Sequence, residues 1–235
     1  MNLLTKYLLS LWHDAASTNN KMLSSYVELT RKAKILDLGC GNGIIAKDQF
    51  AGKIDQPDIF GLEINPQDIR IARKNGLRVI TGDVEKRFPF QDNDFDVVSA
   101  NQLIEHLFDT DSFLQDIFRV LKPHGYLLLA SENLASWHNI AALFVGWHPF
   151  SLHASDKSNI GNPFHLGSDE GISPLARHKK VFTLRSLLEA VRLHGFTVEQ
   201  SFGAGYYPLP PFLAREFAKI DATHAAFIGL KARKK

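Results

Sequence analysis

Three glycines at alternate positions, Gly39, Gly41 and Gly43, follow a short, mostly apolar run at residues 35–38 and precede an apolar run at residues 44–46. The pattern predicts a buried strand, a tight turn and the start of a helix, which is the opening unit of a nucleotide-binding α/β fold. Glycines in such a turn let a ligand approach the backbone closely, because no Cβ stands in the way. The turn therefore predicts a site for a nucleotide-like ligand.

A dinucleotide is the first ligand to compare with this turn. Dinucleotide-binding turns read G-x-G-x-x-G and seat a pyrophosphate on the helix N-terminus, whereas this chain has Ile44 at the position of the last glycine. Asp37 lies in the predicted strand just before the turn, and its carboxylate would repel a pyrophosphate and attract an amine. The pattern disfavours an NAD-dependent oxidoreductase and favours a ligand that bears an amine.

Two more acidic residues follow later predicted strands. Glu63 ends the second strand, at residues 58–64, about 20 residues beyond the turn, where an acidic side chain binds ribose hydroxyls. Asp83 follows the third strand, at residues 77–81, and its carboxylate can accept a hydrogen bond from an exocyclic amine such as the adenine N6. Asp37 could thus bind an amine, Glu63 the two ribose hydroxyls and Asp83 the adenine, and no phosphate site is predicted. This combination is typical of a site for S-adenosylmethionine (SAM).

Several motifs, in the same order, resemble the class I SAM-dependent methyltransferases, in the branch often called type 11. The resemblance covers roughly residues 33–202. Its motifs are I-L-D-L-G-C-G-N-G at 35–43, G-L-E-I-N at 61–65, G-D-V-E at 82–85, F-D-V-V-S-A-N-Q-L-I-E-H-L at 95–107 and R-V-L-K-P-H-G-Y-L at 119–127. Any one of these motifs alone is weak, and their common order makes the match specific.

The resemblance implies an α/β fold: a Rossmann-like, doubly wound, seven-stranded and mostly parallel sheet with an antiparallel last strand, in an α/β/α sandwich. It also implies that SAM lies across the carboxyl ends of the first strands and leaves as S-adenosylhomocysteine. The cofactor-binding residues that it implies are Asp37, Gly39, Cys40, Gly41, Glu63, Ile64, Asp83, Val84 and Asn101. Within this set, Gly39 and Gly41 are expected at the methionine part, Glu63 at the ribose, Asp83 and Val84 at the adenine, and Asn101 near the sulfonium.

Two histidines are candidate catalytic residues for methyl transfer. The reaction needs a base only if the acceptor atom carries a proton that must leave. His106 follows the predicted fourth strand beside Glu105, and His178 precedes Thr183, the predicted cap of a helix. Each has an alternative role, since His106 could pack against the cofactor and His178 could tether a long loop.

No metal site is predicted. Four histidines cluster between residues 131 and 180, namely His138, His148, His153 and His165. They lack the regular spacing and the carboxylate or thiolate neighbours of a metal site, so we expect them to make polar loop contacts. We expect at least one wall of an acceptor pocket to be formed by aromatic residues of this region or by Tyr206 and Tyr207.

The chain is predicted to form a single domain over residues 1–235. Strands alternate with helices, which favours a parallel, doubly wound sheet. We divide the chain into an N-terminal helical segment (1–32, broken at 17–20), a SAM-binding core (33–130), a substrate-side insertion or lid (131–180), and a C-terminal helix with the last two strands (181–235).

Net charge, cysteine content and the lengths of apolar stretches indicate which partners and which compartment to expect. A formal net charge of +2 on 235 residues gives no reason to expect a nucleic-acid partner, and the basic run at 231–235 is expected to be solvated. The single cysteine fits a reducing compartment, and no leader pattern or apolar stretch long enough for a membrane span is visible. These features predict a cytoplasmic protein without stable membrane insertion.

The function predicted is SAM-dependent methyl transfer to a small-molecule, glycan or lipid-precursor acceptor, with O-methylation favoured because candidate histidine bases are present. The alternative is a SAM-binding protein of the same fold that regulates a partner enzyme. A closed pocket beside Asn101 and His106 would support the enzyme, and a flat apolar patch there would support the accessory protein. The oligomeric state stays open.

Overall fold

The computed structural model describes residues 3–164 and 177–235. Within them, the strands are β1 (Thr30–Leu38), β2 (Ile54–Glu63), β3 (Arg78–Thr81), β4 (Phe95–Asn101), β5 (Leu121–Glu132), β6 (Phe196–Ala204) and β7 (Phe227–Lys234). The α-helices are α1 (Leu3–Ser25), α2 (Ile44–Phe50), α3 (Pro66–Lys74), α4 (Thr110–Val120), α5 (Trp137–Phe144), α6 (Leu184–Leu193) and α7 (Pro211–Ile220).

The described strands form one sheet in the order β3-β2-β1-β4-β5-β7-β6. The pairs from β3 to β5 are parallel, and β7 runs antiparallel to both β5 and β6. The predicted fold class, with its antiparallel last strand, is therefore confirmed. Strand order reverses at β1, whose neighbours are β2 and β4, so the carboxyl ends of β1 and β4 border the crevice where open α/β sheets bind ligands.

Two apolar clusters cover the two faces of this sheet. Alternate residues of each strand point to opposite faces, so Val98 and Ala100 join the cluster that contains α4 and α6, while Val97 joins the one that contains α1, α2 and α3. The layers are those of an α/β/α sandwich. That residues 1–235 make up one domain stays a prediction. Among residues 3–164 and 177–235, no helix combines the length and apolar character needed to cross a bilayer.

The predicted break in the first helix, at residues 17–20, is wrong. Helix α1 is continuous and ends well before residue 32. Polar residues weaken helices mainly when their side chains compete for nearby backbone groups. Here the amides of Asn19 and Asn20 bond instead to Asn101 on β4, at 2.9 and 2.8 Å. Tertiary contacts thus use the residues that looked like helix breakers.

Residues 122–125, Lys-Pro-His-Gly, have the composition of a turn, but they lie inside β5, which starts directly after α4. Phe95 pairs with Leu121, and the next regular pair is Val97 with Tyr126. The extra residues bulge out of the ladder. Strand β5 consequently begins earlier than its apolar pattern indicates.

The basic run at residues 231–235 is not a solvated tail, because most of it belongs to β7, an inner strand of the sheet. Lys231 and Lys234 are buried. The Lys231 ammonium group pairs with Glu28 at 2.6 Å, and that of Lys234 donates to the Phe118 carbonyl at 2.6 Å. Helix α7 before it was not predicted, so the C-terminal part contains two helices rather than one.

Candidate functional site

The glycine turn joins β1 to α2 with all three glycines at positive φ: +63° at Gly39, +50° at Gly41 and +78° at Gly43. L-residues rarely adopt this conformation, which explains the spacing. The Gly39 N–H donates to the Leu62 carbonyl at 2.9 Å and ties the turn to β2. A Cβ at Gly39 would stand 2.9 Å from the Leu103 side chain, whereas one at Gly41 would meet nothing within 4 Å. The open side of the turn is therefore at Gly41.

The Glu63 carboxylate is held against this turn by backbone donors. One of its oxygens accepts from the Gly41 N–H at 2.9 Å, and the other accepts from Ile64 and Asn65 at 2.8 and 2.9 Å. One of the roughly four acceptor positions of the carboxylate is left for a hydroxyl group. Ile64 is about half exposed, at 48%, so its side chain offers apolar surface next to the carboxylate.

Asp37 ends up buried near the carboxyl end of β1, with only 8% of its surface exposed. Burial raises the pKa of its carboxyl group to about 7; the Ser99 hydroxyl on β4 opposes this rise, and the negative charge of Glu63 adds to it. A buried carboxylate without a cation is costly. The site therefore favours a ligand that brings a positive charge to Asp37.

This burial predicts a pH dependence of SAM binding. Below the raised pKa, Asp37 is protonated and must lose its proton before it can pair with a ligand amine, so affinity should rise from about pH 6 to about pH 8 and then level off. Calorimetry in buffers of different ionisation enthalpy should detect the proton released on binding at the lower pH. Asp37→Asn should bind more weakly and lose this slope. A slope that persists in Asp37→Asn would assign the pH dependence to another group.

Cys40 contributes to the core rather than to an exposed reactive site. Its Sγ lies 2.4 Å from where a Cβ on Gly61 would stand, so the glycine on β2 makes room for the thiol. Burial raises the pKa of the thiol to about 12, and the charges of Asp37 and Glu63 act in the same direction. Only the backbone of Cys40 is left to take part in the turn.

Asp83 and Val84 follow β3 and lie beside the end of β2. The Gly82 N–H donates to the Glu63 carbonyl at 3.0 Å and brings the segment close. One Asp83 oxygen accepts from the Glu85 N–H at 3.0 Å, while Val84 is partly buried against the core. The structure thus collects the residues predicted for the ribose and the adenine at one edge of the sheet.

Asn101 ends β4, but its side chain is already engaged. It bonds to both Asn19 and Asn20, so α1 lies over the end of β4. The buried Asn19 Oδ1 has no hydrogen-bond donor among the described residues. Sequence reasoning missed this pair; an Asn-Asn step inside a helical pattern was the available signal.

His106 and His178 come together although 71 residues separate them in the chain. Their ring centroids are 4.7 Å apart. The His178 Nδ1 lies 2.7 Å from the Ser151 carbonyl, which can only accept, so Nδ1 carries the proton and Nε2 presents its lone pair. Burial, helped by His178, lowers the pKa of His106 to about 4, so this ring is neutral at physiological pH.

Two carboxyl groups that sequence reasoning did not assign to the site border these histidines. Glu105 precedes His106 and is fully buried, and burial raises its pKa to about 7. Glu132, at the end of β5, has an oxygen 3.7 Å from the His178 Nδ1, and burial raises its pKa to about 7 as well. Neither Glu105 oxygen has a hydrogen-bond partner in the described parts of the chain. The nearby Ser131 hydroxyl partly opposes the rise in the pKa of Glu105, although the two groups do not form a hydrogen bond of good geometry.

A cavity of about 210 Å³ opens beside this cluster. Its lining residues are Leu9, Trp12, Glu132, His138, Phe150, His153, His178 and Tyr207. Phe150 and Tyr207 are thus among the aromatic residues that form a pocket wall, whereas Trp137 stacks on His224 with half of its surface exposed. Of the histidines predicted to make loop contacts, His138 and His153 line the cavity. His165 lies outside the described residues.

Comparison with known proteins adds evidence independent of this geometry. A family model described as a methyltransferase domain matches residues 29–167. The chain is 29% identical over 147 residues to a ubiquinone biosynthesis O-methyltransferase of Rickettsia prowazekii (58% of this chain, 56% of the relative). It is 32% identical over 125 residues to a phthiotriol/phenolphthiotriol dimycocerosates methyltransferase of Mycobacterium ulcerans (48% and 44%). The chain spans about half the length of these relatives.

Solved structures share the fold across nearly the whole chain. A SAM-dependent methyltransferase of Thermotoga maritima, described as a possible histamine N-methyltransferase, superposes with a TM-score of 0.62 at 18% identity, covering 99% of this chain and 96% of the other. One from Listeria monocytogenes gives 0.64 at 12% identity, covering 94% and 98%. At such identities the likeness concerns the fold alone.

Proposed function

Because the chain belongs to the methyltransferase-domain family, among the class I SAM-dependent methyltransferases, we propose that it methylates an oxygen atom of a small acceptor with an apolar body. The cofactor of this family is SAM, and the site fits it on two observations. The turn is open at Gly41, and burial raises the pKa of the Asp37 carboxyl group without an opposing side-chain cation among residues 3–164 and 177–235. Gly39, Gly41 and Asp37 would hold the methionine part, and Glu63, Ile64, Asp83 and Val84 the adenosine. When bound, SAM supplies an electrophilic methyl carbon.

The observation that carries the acceptor proposal is the cavity at the carboxyl end of β5. Leu9, Trp12 and Phe150 supply apolar walls, while Glu132 and His178 form a polar end. An engineered apolar cavity of about 150 Å³ holds benzene, so about 210 Å³ suits one substituted ring. A ring hydroxyl that points to the polar end would lie beside the imidazole of His178.

The residues of the chain would act mainly by positioning. The Ser151 carbonyl sets the tautomer and orientation of His178, whose Nε2 can accept the hydrogen bond of the acceptor hydroxyl and take its proton. The ring of His106, neutral and buried, packs against His178 and limits its movement. Helix α1 supplies Trp12 to the cavity and bonds to Asn101, which supports a shared boundary between cofactor and acceptor.

The relatives support this acceptor class, since one is a ubiquinone biosynthesis O-methyltransferase and the other a dimycocerosates methyltransferase. The alternative of an accessory protein is not favoured. The cavity is lined by His178 rather than by Asn101 or His106, the residues beside which a pocket was expected, and it reaches the predicted place only through the contact between the rings of His178 and His106. We also propose a cytoplasmic location, for which the single, buried and unpaired Cys40 is the support.

His178→Ala should slow methyl transfer by about 100-fold or more, the usual contribution of a positioned acid–base group, and should leave SAM affinity unchanged. The assay follows S-adenosylhomocysteine release with a panel of phenols and catechols, alongside calorimetric SAM binding. His194→Ala is the matched control, because His194 bonds to the Ala190 carbonyl at the end of α6, away from the cavity. Loss of SAM binding in His178→Ala would assign the residue to the cofactor pocket instead.

A further inference from the structure

One side-chain cluster has a composition that methyl transfer by itself does not require. Glu105, His106 and His178 each offer a ligand atom, and these atoms all lie within 4.8 Å of one another. The first two residues belong to a short 3-10 helix after β4, at Ile104–His106, and the third precedes α6. None of the three is exposed.

Backbone hydrogen bonds tie the two contributing segments together. The N–H groups of Lys179 and Lys180 both donate to the Glu105 carbonyl, at 2.7 and 3.2 Å. His178 is the neighbour of Lys179 in the chain, so these bonds hold its ring over the 3-10 helix. The cluster is therefore built by the fold rather than by chance approach of long side chains.

A second and independent observation is the state of the Glu105 carboxylate. The residue is fully buried, and both of its oxygens lack a hydrogen-bond partner among the described residues. Buried polar groups in folded proteins nearly always have partners, and buried charges are paired or bind metals. A group that brings positive charge to Glu105 would complete the site.

The surroundings of His178 match those of a metal-binding imidazole. Such a ring commonly donates its other N–H to a carbonyl or a carboxylate, which fixes the tautomer. Here Nδ1 donates to the Ser151 carbonyl at 2.7 Å, and a Glu132 oxygen lies 3.7 Å from the same nitrogen. Nε2 is thereby left as a ligand atom.

We propose that Glu105, His106 and His178 bind a divalent transition-metal ion beside the acceptor cavity. Ligand atoms about 2.0–2.2 Å from one tetrahedral ion lie about 3.3–3.6 Å apart, so atoms that lie within 4.8 Å of one another must approach by at most about 1.5 Å when the ion binds. Two imidazoles and one carboxylate favour Zn²⁺, Mn²⁺, Fe²⁺ or Co²⁺, whereas Mg²⁺ and Ca²⁺ prefer oxygen ligands. Three protein ligands leave a coordination position open.

This inference rests on the proposed function in one respect, namely the use of the open position. His178 lines the cavity, so an ion bound to it can coordinate an acceptor oxygen and orient it. In that case the histidines bind the ion, and His178→Ala lowers turnover by loss of the ion rather than by loss of a base.

Metal content tests the site itself. The protein is stripped with EDTA, incubated with Zn²⁺ or Mn²⁺, and desalted, and its metal content is measured by inductively coupled plasma mass spectrometry. We expect one ion per chain and a higher Tm for the wild type and for the control His194→Ala, and neither effect for Glu105→Gln or His106→Ala. Glu105→Gln should fold, because the amide has nearly the same shape as the buried carboxyl group that it replaces, and circular dichroism checks this. Substoichiometric metal in the wild type, or equal loading of folded Glu105→Gln, would overturn the inference.

A second experiment separates this inference from the proposed function. In EDTA-treated protein, SAM affinity by calorimetry should be unchanged, while methylation of phenols and catechols should fall and return when Zn²⁺ or Mn²⁺ is added. Full turnover in EDTA would overturn the metal's role at the acceptor and leave the methyltransferase proposal standing. Stoichiometric metal without turnover of any hydroxyl acceptor would instead refute O-methylation and support the metal site.

Discussion

Gly41→Ala should strongly weaken SAM binding. Its effect on the free energy of unfolding should be close to that of a glycine substitution far from the site. Gly41 has φ +50°, and a Cβ there would meet no protein atom within 4 Å. The methyl group would instead enter the open side of the turn, where the methionine part is expected. Overfilling a packed contact costs about 1–3 kcal/mol, which corresponds to roughly a 5- to 150-fold rise in Kd.

Gly52→Ala is the matched control for this experiment. Gly52 has φ +68° and also has nothing within 4 Å of a Cβ, but it lies between α2 and β2, away from the turn. Left-handed backbone costs an L-residue about 1–2 kcal/mol, so urea unfolding should show a similar loss in both variants. Calorimetry with S-adenosylhomocysteine should then show weak binding for Gly41→Ala alone. Equal affinities in the two variants would mean that the ligand does not pass over Gly41.

Glu63→Ala should weaken SAM binding by about 1.5–3 kcal/mol, the range for a hydrogen bond to a charged group. The carboxylate is oriented by three backbone N–H groups, from Gly41, Ile64 and Asn65. Its loss therefore has two effects, because it removes a preorganised hydrogen-bond acceptor and also loosens the glycine turn. Asp58→Asn is the control on the same strand, because Asp58 pairs with Arg78 near the middle of β2. It should bind SAM as the wild type does.

A double-mutant cycle separates the diol contact from the support of the turn. The wild type should bind S-adenosylhomocysteine more tightly than an analogue without the ribose 2′-hydroxyl, and Glu63→Ala should not distinguish the two. If Glu63→Ala keeps the full preference for the hydroxyl, the ribose is held by another residue and Glu63 serves the turn alone.

Local patterns were sufficient wherever local physics decides the structure. Positive φ at Gly39, Gly41 and Gly43 follows from the freedom of glycine. Asn65 caps α3, with Pro66 at its first position, and Thr183 caps α6 through a capping box with Ser186. Each of these features depends on residues a few positions apart, which a sequence displays directly.

The predicted boundaries of helices and strands were wrong where tertiary contacts override the local conformational preference of the residues. Asn19 and Asn20 looked like a helix break, and their bonds to a strand more than 80 residues away keep α1 continuous. Lys231 and Lys234 were predicted to lie in a solvated tail, but their pairing inside an inner strand depends on Glu28, between α1 and β1, and on Phe118 of α4. Burial and pairing of these residues are properties of the assembled sheet.

The sequence by itself determined the class of fold, the family and its methyl donor, because the glycine turn and the acidic residues after each strand meet at one edge of any parallel sheet. Only the tertiary structure decided what lies next to that edge. The buried residues Glu105 and His106, the carboxyl group of Glu132, and His178 come from three distant segments. Their chemistry depends on mutual distance and on burial, and neither is set until the chain has packed.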